Sequence, residues 1–171
     1  LVQGMRDAGA EVEVINLKEK KIKYCSGCFT CWTKTPGVCM FRDDMAKEIL
    51  PKFMECDLSV LATPLFHFTV NALMKTFIER TLPMAQPFFV EKNGVTSHPI
   101  RNEPPPVVAI SVAGFPEESV FDQLKSYLRF LYGKRLVAEI YRSSSEMFRA
   151  DPKEKSVKDV LDAAVQAGRE L

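Results

Sequence analysis

The chain has 171 residues, of which 46% are hydrophobic and 26% are charged. These proportions match an average globular domain and argue against disordered, collagen-like and coiled-coil classes. The 23 basic and 22 acidic residues leave a formal charge of +1, which supplies no basic surface for nucleic acid. The longest uncharged stretch, residues 58–74, is too short to span a membrane. We therefore predict one domain over residues 1–171 that binds neither nucleic acid nor membrane.

The first predicted elements are a helix that closes near Gly9 and a strand from Val12 to Leu17, in which apolar and charged residues alternate. In a protein that alternates strands and helices, a strand is expected before such a helix, and none precedes Leu1. From typical element lengths we expect about 20 to 30 further N-terminal residues. The chain as written is thus interpreted as N-terminally truncated.

Four cysteines follow in the pattern C-x-x-C-x-x-C-x7-C, at Cys25, Cys28, Cys31 and Cys39. Steps of three residues let one short loop direct several thiolates at one centre, which favours an iron–sulfur cluster over structural zinc. Thiols in a loop without metal and a redox pair of Cys25 with Cys28 stay open as alternatives. Because thiols used in this way persist in a reducing compartment, we expect the protein to be cytoplasmic.

Two helices flank the next predicted strand. The first begins at Asp43 and should be kinked by Pro51, and the strand is the apolar run from Leu58 to Pro64. The second helix follows with Thr69 as its N-cap. The apolar faces of the two helices are Met45, Ile49 and Phe53, and then Val70, Leu73, Met74, Phe77 and Ile78.

Residues 81–106 are interpreted as an inserted, proline-rich hairpin or excursion. Six of the eleven prolines lie in this stretch, and Asn93-Gly94 is the favoured dipeptide of a tight hairpin turn. Phe88 and Phe89 would gain from burial, so we expect a homodimer or a higher homo-oligomer.

Two more strands are predicted over residues 106–114 and 135–141, with a helix between them and a closing helix from Asp151. The middle helix presents Val120, Leu124, Tyr127, Leu128 and Leu131 on one side. This alternation predicts an α/β fold with an open parallel sheet covered by helices on both faces. Loops 64–69 and 111–119 leave the carboxyl ends of two strands and should face one crevice.

Both loops carry aromatic residues. Phe66 and Phe68 in the first loop and Phe115 in the second are able to lie against a planar cofactor, and the helix amides after the first loop would stabilise its carbonyl edge. Ordinary core packing of Phe66 and Phe68 is the alternative. His67 alone indicates no catalyst, because a lone histidine is more often structural.

The cysteine stretch that ends in DDM, the strand that runs into TPLF and the segment ALMKTFIER resemble the flavodoxin-like NAD(P)H-dependent FMN reductase family, including its iron–sulfur flavoprotein branch. The resemblance spans Val12 to Ser119. It implies a three-layer α/β sandwich with a parallel sheet in the order 2-1-3-4-5, whose first strand would be missing here together with the loop that holds the FMN phosphate. It also implies that the FMN ring lies near Pro64, Leu65, Phe66, His67 and Phe68 and is flanked by Ser111, Val112, Ala113, Gly114 and Phe115. For the branch with a compact cysteine motif, it implies a [4Fe-4S] cluster on the four clustered cysteines.

By this resemblance we expect an FMN-dependent NAD(P)H oxidoreductase that passes hydride to the flavin and then electrons to a small-molecule or protein acceptor. Since the cofactor carries the chemistry, no side-chain acid or base is required, and His67 is a hypothetical gate on the acceptor side. One alternative is an iron–sulfur flavoprotein that acts as an electron carrier. Another is a non-enzymatic interaction domain with a zinc-stapled cysteine loop.

Overall fold

The computed structural model describes residues 1–146 and 155–171. In chain order its helices and strands are α1 (Val2–Asp7), α2 (Thr30–Thr33), α3 (Leu50–Glu55), β1 (Ser59–Pro64), α4 (Ala72–Glu79), β2 (Val90–Lys92), β3 (Val95–Ser97), β4 (Val107–Val112), α5 (Asp122–Tyr132), β5 (Leu136–Arg142) and α6 (Lys155–Glu170). Strands β1, β4 and β5 form a parallel sheet in the order β1-β4-β5. This confirms the predicted α/β fold with a parallel sheet, and the three strands correspond to the last three of the order 2-1-3-4-5.

Strand β4 lies in the middle of this sheet. Its consecutive residues Val107, Val108 and Ala109 are all buried. Because successive side chains of a strand point to opposite faces, both faces of β4 are covered, as the apolar run predicts. The core on one face includes Met74, Phe77 and Ile78 of α4 and Leu124 and Leu128 of α5.

The helix predicted from Asp43 is split as Pro51 requires. Residues Met45–Ile49 form a π-helical turn that continues into α3, and Pro51 lies in the first turn of α3. Proline has no amide hydrogen and is tolerated at such a start, so the change of helix type falls just before it. The Asp43 carboxylate accepts a hydrogen bond from the Ala46 amide, which places the beginning of the helix where it was predicted.

The prediction that Thr69 caps α4 is wrong. The N-cap is Asn71, whose side-chain oxygen accepts a hydrogen bond of 2.9 Å from the Met74 amide. Thr69 instead belongs to the preceding turn, because its amide and carbonyl are both bonded to Phe66. The cap therefore moves two residues along the chain.

The prediction of a strand from Val12 to Leu17 is also wrong. This segment forms no strand, and Leu17 opens a short 3-10 turn that ends at Glu19. A strand needs a hydrogen-bonded neighbour for its backbone groups, and none of the described strands lies beside this segment. Alternation of apolar and charged residues predicts an extended backbone but does not supply that neighbour.

The excursion over residues 81–106 contains the predicted hairpin. Strands β2 and β3 are antiparallel, and Asn93 and Gly94 have φ angles of 53° and 74°, the left-handed values of a type I′ turn. His98 lies between Phe89 and Trp32, with ring centroids 4.5 Å and 4.9 Å away. These ring contacts join the excursion to the cysteine loop.

Helix α1 ends just before Gly9, as predicted, and packs closely against α6. Gly4 and Gly168 permit this approach, since a Cβ atom on either would meet a backbone carbonyl of the other helix or of Leu1. The predicted start of the closing helix at Asp151 lies outside the described residues. Among the helices that are described, none has both the length and the apolar character needed to cross a membrane.

Candidate active site

The loops that follow β1 and β4 meet at the carboxyl edge of the sheet. The Leu65 amide donates a 3.0 Å hydrogen bond to the Val112 carbonyl. The rings of Phe68 and Phe115 face each other with centroids 6.2 Å apart and an angle of 26° between their planes. The two loops thus share one place in the molecule, which the topology of a parallel sheet predicts.

The first of these loops is a tight and strained turn. Phe66 and Thr69 exchange amide-to-carbonyl hydrogen bonds of 3.0 Å and 3.1 Å. The two central residues, His67 and Phe68, have φ angles of 47° and 62°, in the left-handed region, which is uncommon for residues other than Gly and most unusual for a bulky one such as Phe68. Such backbone strain costs on the order of 1–3 kcal/mol per residue and is concentrated at functional sites. The turn presents both side chains to solvent.

The other predicted residues of this edge differ in exposure. Pro64 and Leu65 are half-buried, Ser111 and Ala113 are buried, and Val112 and Gly114 are exposed. The second loop is held by the segment after β5, because the Ser144 amide donates to the Phe115 carbonyl over 2.7 Å. Ser111 carries a buried hydroxyl that has no hydrogen-bond partner within the described residues. The carboxyl ends of all three strands therefore contribute to one edge.

The four clustered cysteines line one cavity, which we call the cysteine cavity. Its lining also includes Phe41, Arg80, Leu82 and Pro83. Gly27 and Gly37, with φ angles of 64° and 83°, let the backbone turn sharply on either side of the one-turn helix α2. The Gly37 amide closes the loop with a 2.8 Å hydrogen bond to the Cys31 carbonyl. All five cysteines of the chain are thiols outside any disulfide.

The thiols of this cavity influence one another. Burial raises the pKa of Cys31, and the charges of Cys39, Cys25 and Cys28 raise it further. Hydrogen bonds from Thr30 lower the pKa of the exposed Cys28. Mutual repulsion of this kind is relieved when a cationic centre binds several thiolates at once.

The side chains that line the cysteine cavity are not arranged around a single metal position. In the described part of the chain, no three Cys, His, Asp or Glu side chains are close enough together to bind one metal ion. Tetrahedral zinc needs four ligands at about 2.3 Å from one atom. Thiols spread around a shared cavity instead fit ligation at the corners of a larger body, such as an iron–sulfur cluster.

A buried ion pair lies beside the cysteine cavity and was not predicted from the sequence. Arg80, at the end of α4, is 2% exposed and donates to the Asp43 carboxylate over 2.7 Å and 2.9 Å. Burial alone would raise the pKa of Asp43, but hydrogen bonds from Arg80 and from the Lys23 and Ala46 amides outweigh it and hold the pKa at about 2. The sequence signals of these residues, a charged helix start and a charged helix end, are those of exposed positions.

The family of the chain follows from comparison with known proteins. A family model described as NADPH-dependent FMN reductase matches residues 1–143. The chain belongs to this family. The fold of the chain is also that of an FMN-dependent NADH-azoreductase from Bacillus anthracis, solved in complex with FMN. That structure has a TM-score of 0.67 and 16% identity, over 99% of this chain and 86% of that one.

Two sequence relatives extend the comparison. An iron–sulfur flavoprotein from Archaeoglobus fulgidus is 46% identical over 79 residues, which cover 46% of this chain and 34% of that protein. An FMN-dependent NADH:quinone oxidoreductase from Bradyrhizobium diazoefficiens is 24% identical over 175 residues, which cover 96% of this chain and 86% of that protein. The matches to iron–sulfur flavoproteins span between 34% and 42% of the length of those relatives.

Proposed function

We propose that the protein is an FMN-dependent NAD(P)H oxidoreductase that passes electrons on to a small-molecule or protein acceptor. One observation carries this proposal: the strained turn at His67 and Phe68 contacts the loop of Phe115 at the carboxyl edge of the sheet. Family membership supports it, as does the FMN in the azoreductase of the same fold. When bound, FMN would supply the hydride-accepting ring, and the protein would position that ring against the nicotinamide.

The residues of this edge are suited to a flat ring. Phe68 and Phe115 are 50% and 55% exposed, and a ring stacked between them needs about 3.5 Å on each side, so the phenyl rings would have to separate by about 1 Å. Exposed side chains are able to rotate by that much. Within the described residues, the amides of His67 and Phe68 donate no hydrogen bond to protein groups. These amides are therefore available to the carbonyl edge of a flavin.

A flavin titration tests this proposal. Protein purified without oxygen is titrated with FMN by fluorescence quenching, and oxidation of NADH and NADPH is then followed. We expect Phe68→Ala to weaken FMN binding by about 2- to 12-fold, because a ring-stacking contact contributes about 0.5–1.5 kcal/mol. Phe130→Ala, which removes a ring that is 92% exposed on α5, is the matched control and should leave binding unchanged. Equal FMN affinity in Phe68→Ala and wild type would contradict the assignment of this edge.

A second candidate function is electron transfer through a [4Fe-4S] cluster held by Cys25, Cys28, Cys31 and Cys39. The shared cysteine cavity favours it, as does the 46% identity to an iron–sulfur flavoprotein. Analysis of iron, acid-labile sulfide and zinc in anaerobically purified protein tests it. Four irons and four sulfides per chain are expected for one such cluster. One equivalent of zinc in a colourless protein would instead support the zinc-stapled interaction domain and contradict both oxidoreductase proposals.

We further propose a cytoplasmic homodimer. Five cysteines without a disulfide are typical of a reducing compartment. Phe88 and Phe89 are exposed on the excursion over residues 81–106, as are Val95 and Ile100 of the same segment. A second copy of the chain would cover this apolar surface.

A further inference from the structure

Arg80 is a buried charge at the wall of the cysteine cavity. Its side chain lines that cavity with the four thiols, and it is the largest fully buried side chain of the described residues. Besides its two bonds to Asp43, it donates to the Lys23 carbonyl, and its guanidinium carbon lies 5.2 Å from the centre of the Phe41 ring. The guanidinium is therefore fixed in one orientation.

The ion pair with Asp43 does not satisfy the whole guanidinium. The Nε atom of Arg80 is buried and has no hydrogen-bond partner in the described part of the chain. A buried donor without a partner is destabilising, and more so in a charged group. A buried ion pair is often no more stabilising than apolar residues of the same volume. Stability alone therefore does not explain why this charge lies here.

The cavity beside Arg80 collects negative charge when its thiols are deprotonated. An arginine guanidinium stays protonated in proteins, so Arg80 is positive whenever the thiolates are present. A cluster on these thiolates gains one more negative charge when it accepts an electron, and a fixed positive charge stabilises that reduced state.

We propose that the positive charge of Arg80 raises the reduction potential of a cluster in the cysteine cavity. Asp43 is the positioning residue, because it holds the guanidinium in place. This inference rests on the second candidate function. The reaction it affects is the one-electron reduction of the cluster, in which no bond to Arg80 forms or breaks. Removal of the positive charge should make the cluster harder to reduce, and removal of the negative partner should make it easier.

The test is a redox titration of the cluster with dithionite and mediators, followed by electron paramagnetic resonance on anaerobically purified protein. For Arg80→Gln we expect the equilibrium constant for reduction to fall at least about tenfold, which is 59 mV for one electron. Arg80→Lys keeps the charge and should stay closer to wild type. Arg129→Gln removes an exposed arginine that pairs with Glu139 over 2.8 Å, and this control should leave the potential unchanged.

Asp43→Asn makes the opposite change in charge, and it keeps the inference testable if Arg80→Gln does not fold. It leaves the guanidinium without its counter-charge, so the potential should rise. A cluster whose potential is the same in wild type, Arg80→Gln and Asp43→Asn would overturn this inference and leave the second candidate function intact. If Arg80→Gln does not fold, an unchanged potential in Asp43→Asn overturns it equally. Wild-type protein without iron and sulfide would overturn both.

Discussion

Asp43 links the start of one helix to the end of another through a single carboxylate. It accepts hydrogen bonds from the Ala46 amide, from the Lys23 amide and from Arg80. Arg80 therefore depends on Asp43 for its charge balance, and a buried pair that loses one partner costs about 3–5 kcal/mol. We expect this carboxylate to dominate the response of the protein to acid.

The first prediction concerns that acid response. The pKa of Asp43 is about 2 in the folded protein against an ordinary value of 3.8. A depressed pKa contributes stability that is complete above pH 3.8 and is lost as the pH falls through about 2. The loss amounts to about 2 kcal/mol, and urea unfolding at a series of pH values between neutral and acid measures it.

Asp43→Asn is the informative variant for this prediction. It should be about 3 kcal/mol less stable than wild type at neutral pH, because Arg80 stays buried without its partner. It should also lose the part of the acid response that Asp43 supplies. An Asp43→Asn curve parallel to wild type over the acid range would show that other carboxylates carry the response.

The second prediction concerns the left-handed turn at the candidate flavin edge. His67→Asn should stabilise the protein by less than about 1 kcal/mol, because histidine is itself enriched in the left-handed region and asparagine, with its short polar side chain, occupies it only somewhat more readily. The reverse change, Asn93→His in the hairpin, is the matched control, since Asn93 has a φ angle of 53°. It should lose a similar amount of stability.

The same His67→Asn variant tests whether this histidine gates the acceptor. Turnover measured with small and bulky acceptors should change more for the bulky ones if the side chain limits access. Unchanged rates with every acceptor would remove the gating hypothesis. The FMN assignment would be untouched by that result.

The sequence predicts part of this residue-scale detail. The spacing of the clustered cysteines predicts that they lie together, and they do share a cavity. The left-handed turn at His67 and Phe68 was not predicted, because it contains neither glycine nor asparagine. The Asp43–Arg80 pair was missed for a similar reason, since charged residues at helix ends are usually exposed. Both features depend on tertiary contacts.

At the scale of elements, the close crossing of α1 and α6 gives the third prediction. Alanine favours a helix over glycine by roughly 0.5–1 kcal/mol. Gly168→Ala should nevertheless destabilise the protein, by about 1–3 kcal/mol, because the new methyl group would meet the Leu1 carbonyl. Urea unfolding measures the change.

Ala163→Ser is the control on the same helix. Ala163 is exposed, so its substitution should change stability by no more than about 0.5 kcal/mol. If Gly168→Ala were more stable than wild type, helix propensity would outweigh the crossing, and the close contact of α1 with α6 would be wrong.

Continuous apolar runs were the most reliable signals for elements. The runs at residues 58–64 and 106–114 became β1 and β4, because burial on both faces requires apolar residues throughout. The segment from Val12 to Leu17 has the alternation of a strand but no neighbour among the described residues. The cap at Asn71 rather than Thr69 is a smaller error of two residues, and it arises because Thr69 is bonded to Phe66 in the preceding turn.

At the scale of the whole molecule, the excursion over residues 81–106 gives the fourth prediction. If it forms the dimer interface, changing Phe88 and Phe89 together to serine should weaken association at least about tenfold, because each buried phenyl ring contributes about 1.5–3 kcal/mol. Sedimentation velocity over a range of concentrations measures the change.

Phe130→Ser is the matched control for the dimer, since it removes an exposed phenyl ring that belongs to α5 and not to the excursion. It should leave association unaltered. A monomeric wild type, or a dimer that is sensitive to Phe130→Ser and not to the paired change, would contradict an interface on the excursion.

The topology of the molecule was easier to predict than its surfaces. Parallel strands bring the loops after β1 and β4 to one edge by geometry alone, and the bond from Leu65 to Val112 places them there. The sequence did not predict that the excursion contacts the cysteine loop. Contacts between distant residues, such as that of Trp32 with His98, leave no local pattern in the sequence.

Trp32 is the only tryptophan of the chain, and its ring lies against Phe29 and His98. It is also the direct neighbour of Cys31, the buried thiol of the cysteine cavity. The protein thus carries an intrinsic fluorophore where the cysteine loop meets the excursion over residues 81–106. Its emission would report ligand capture or hairpin displacement in real time, without any added label.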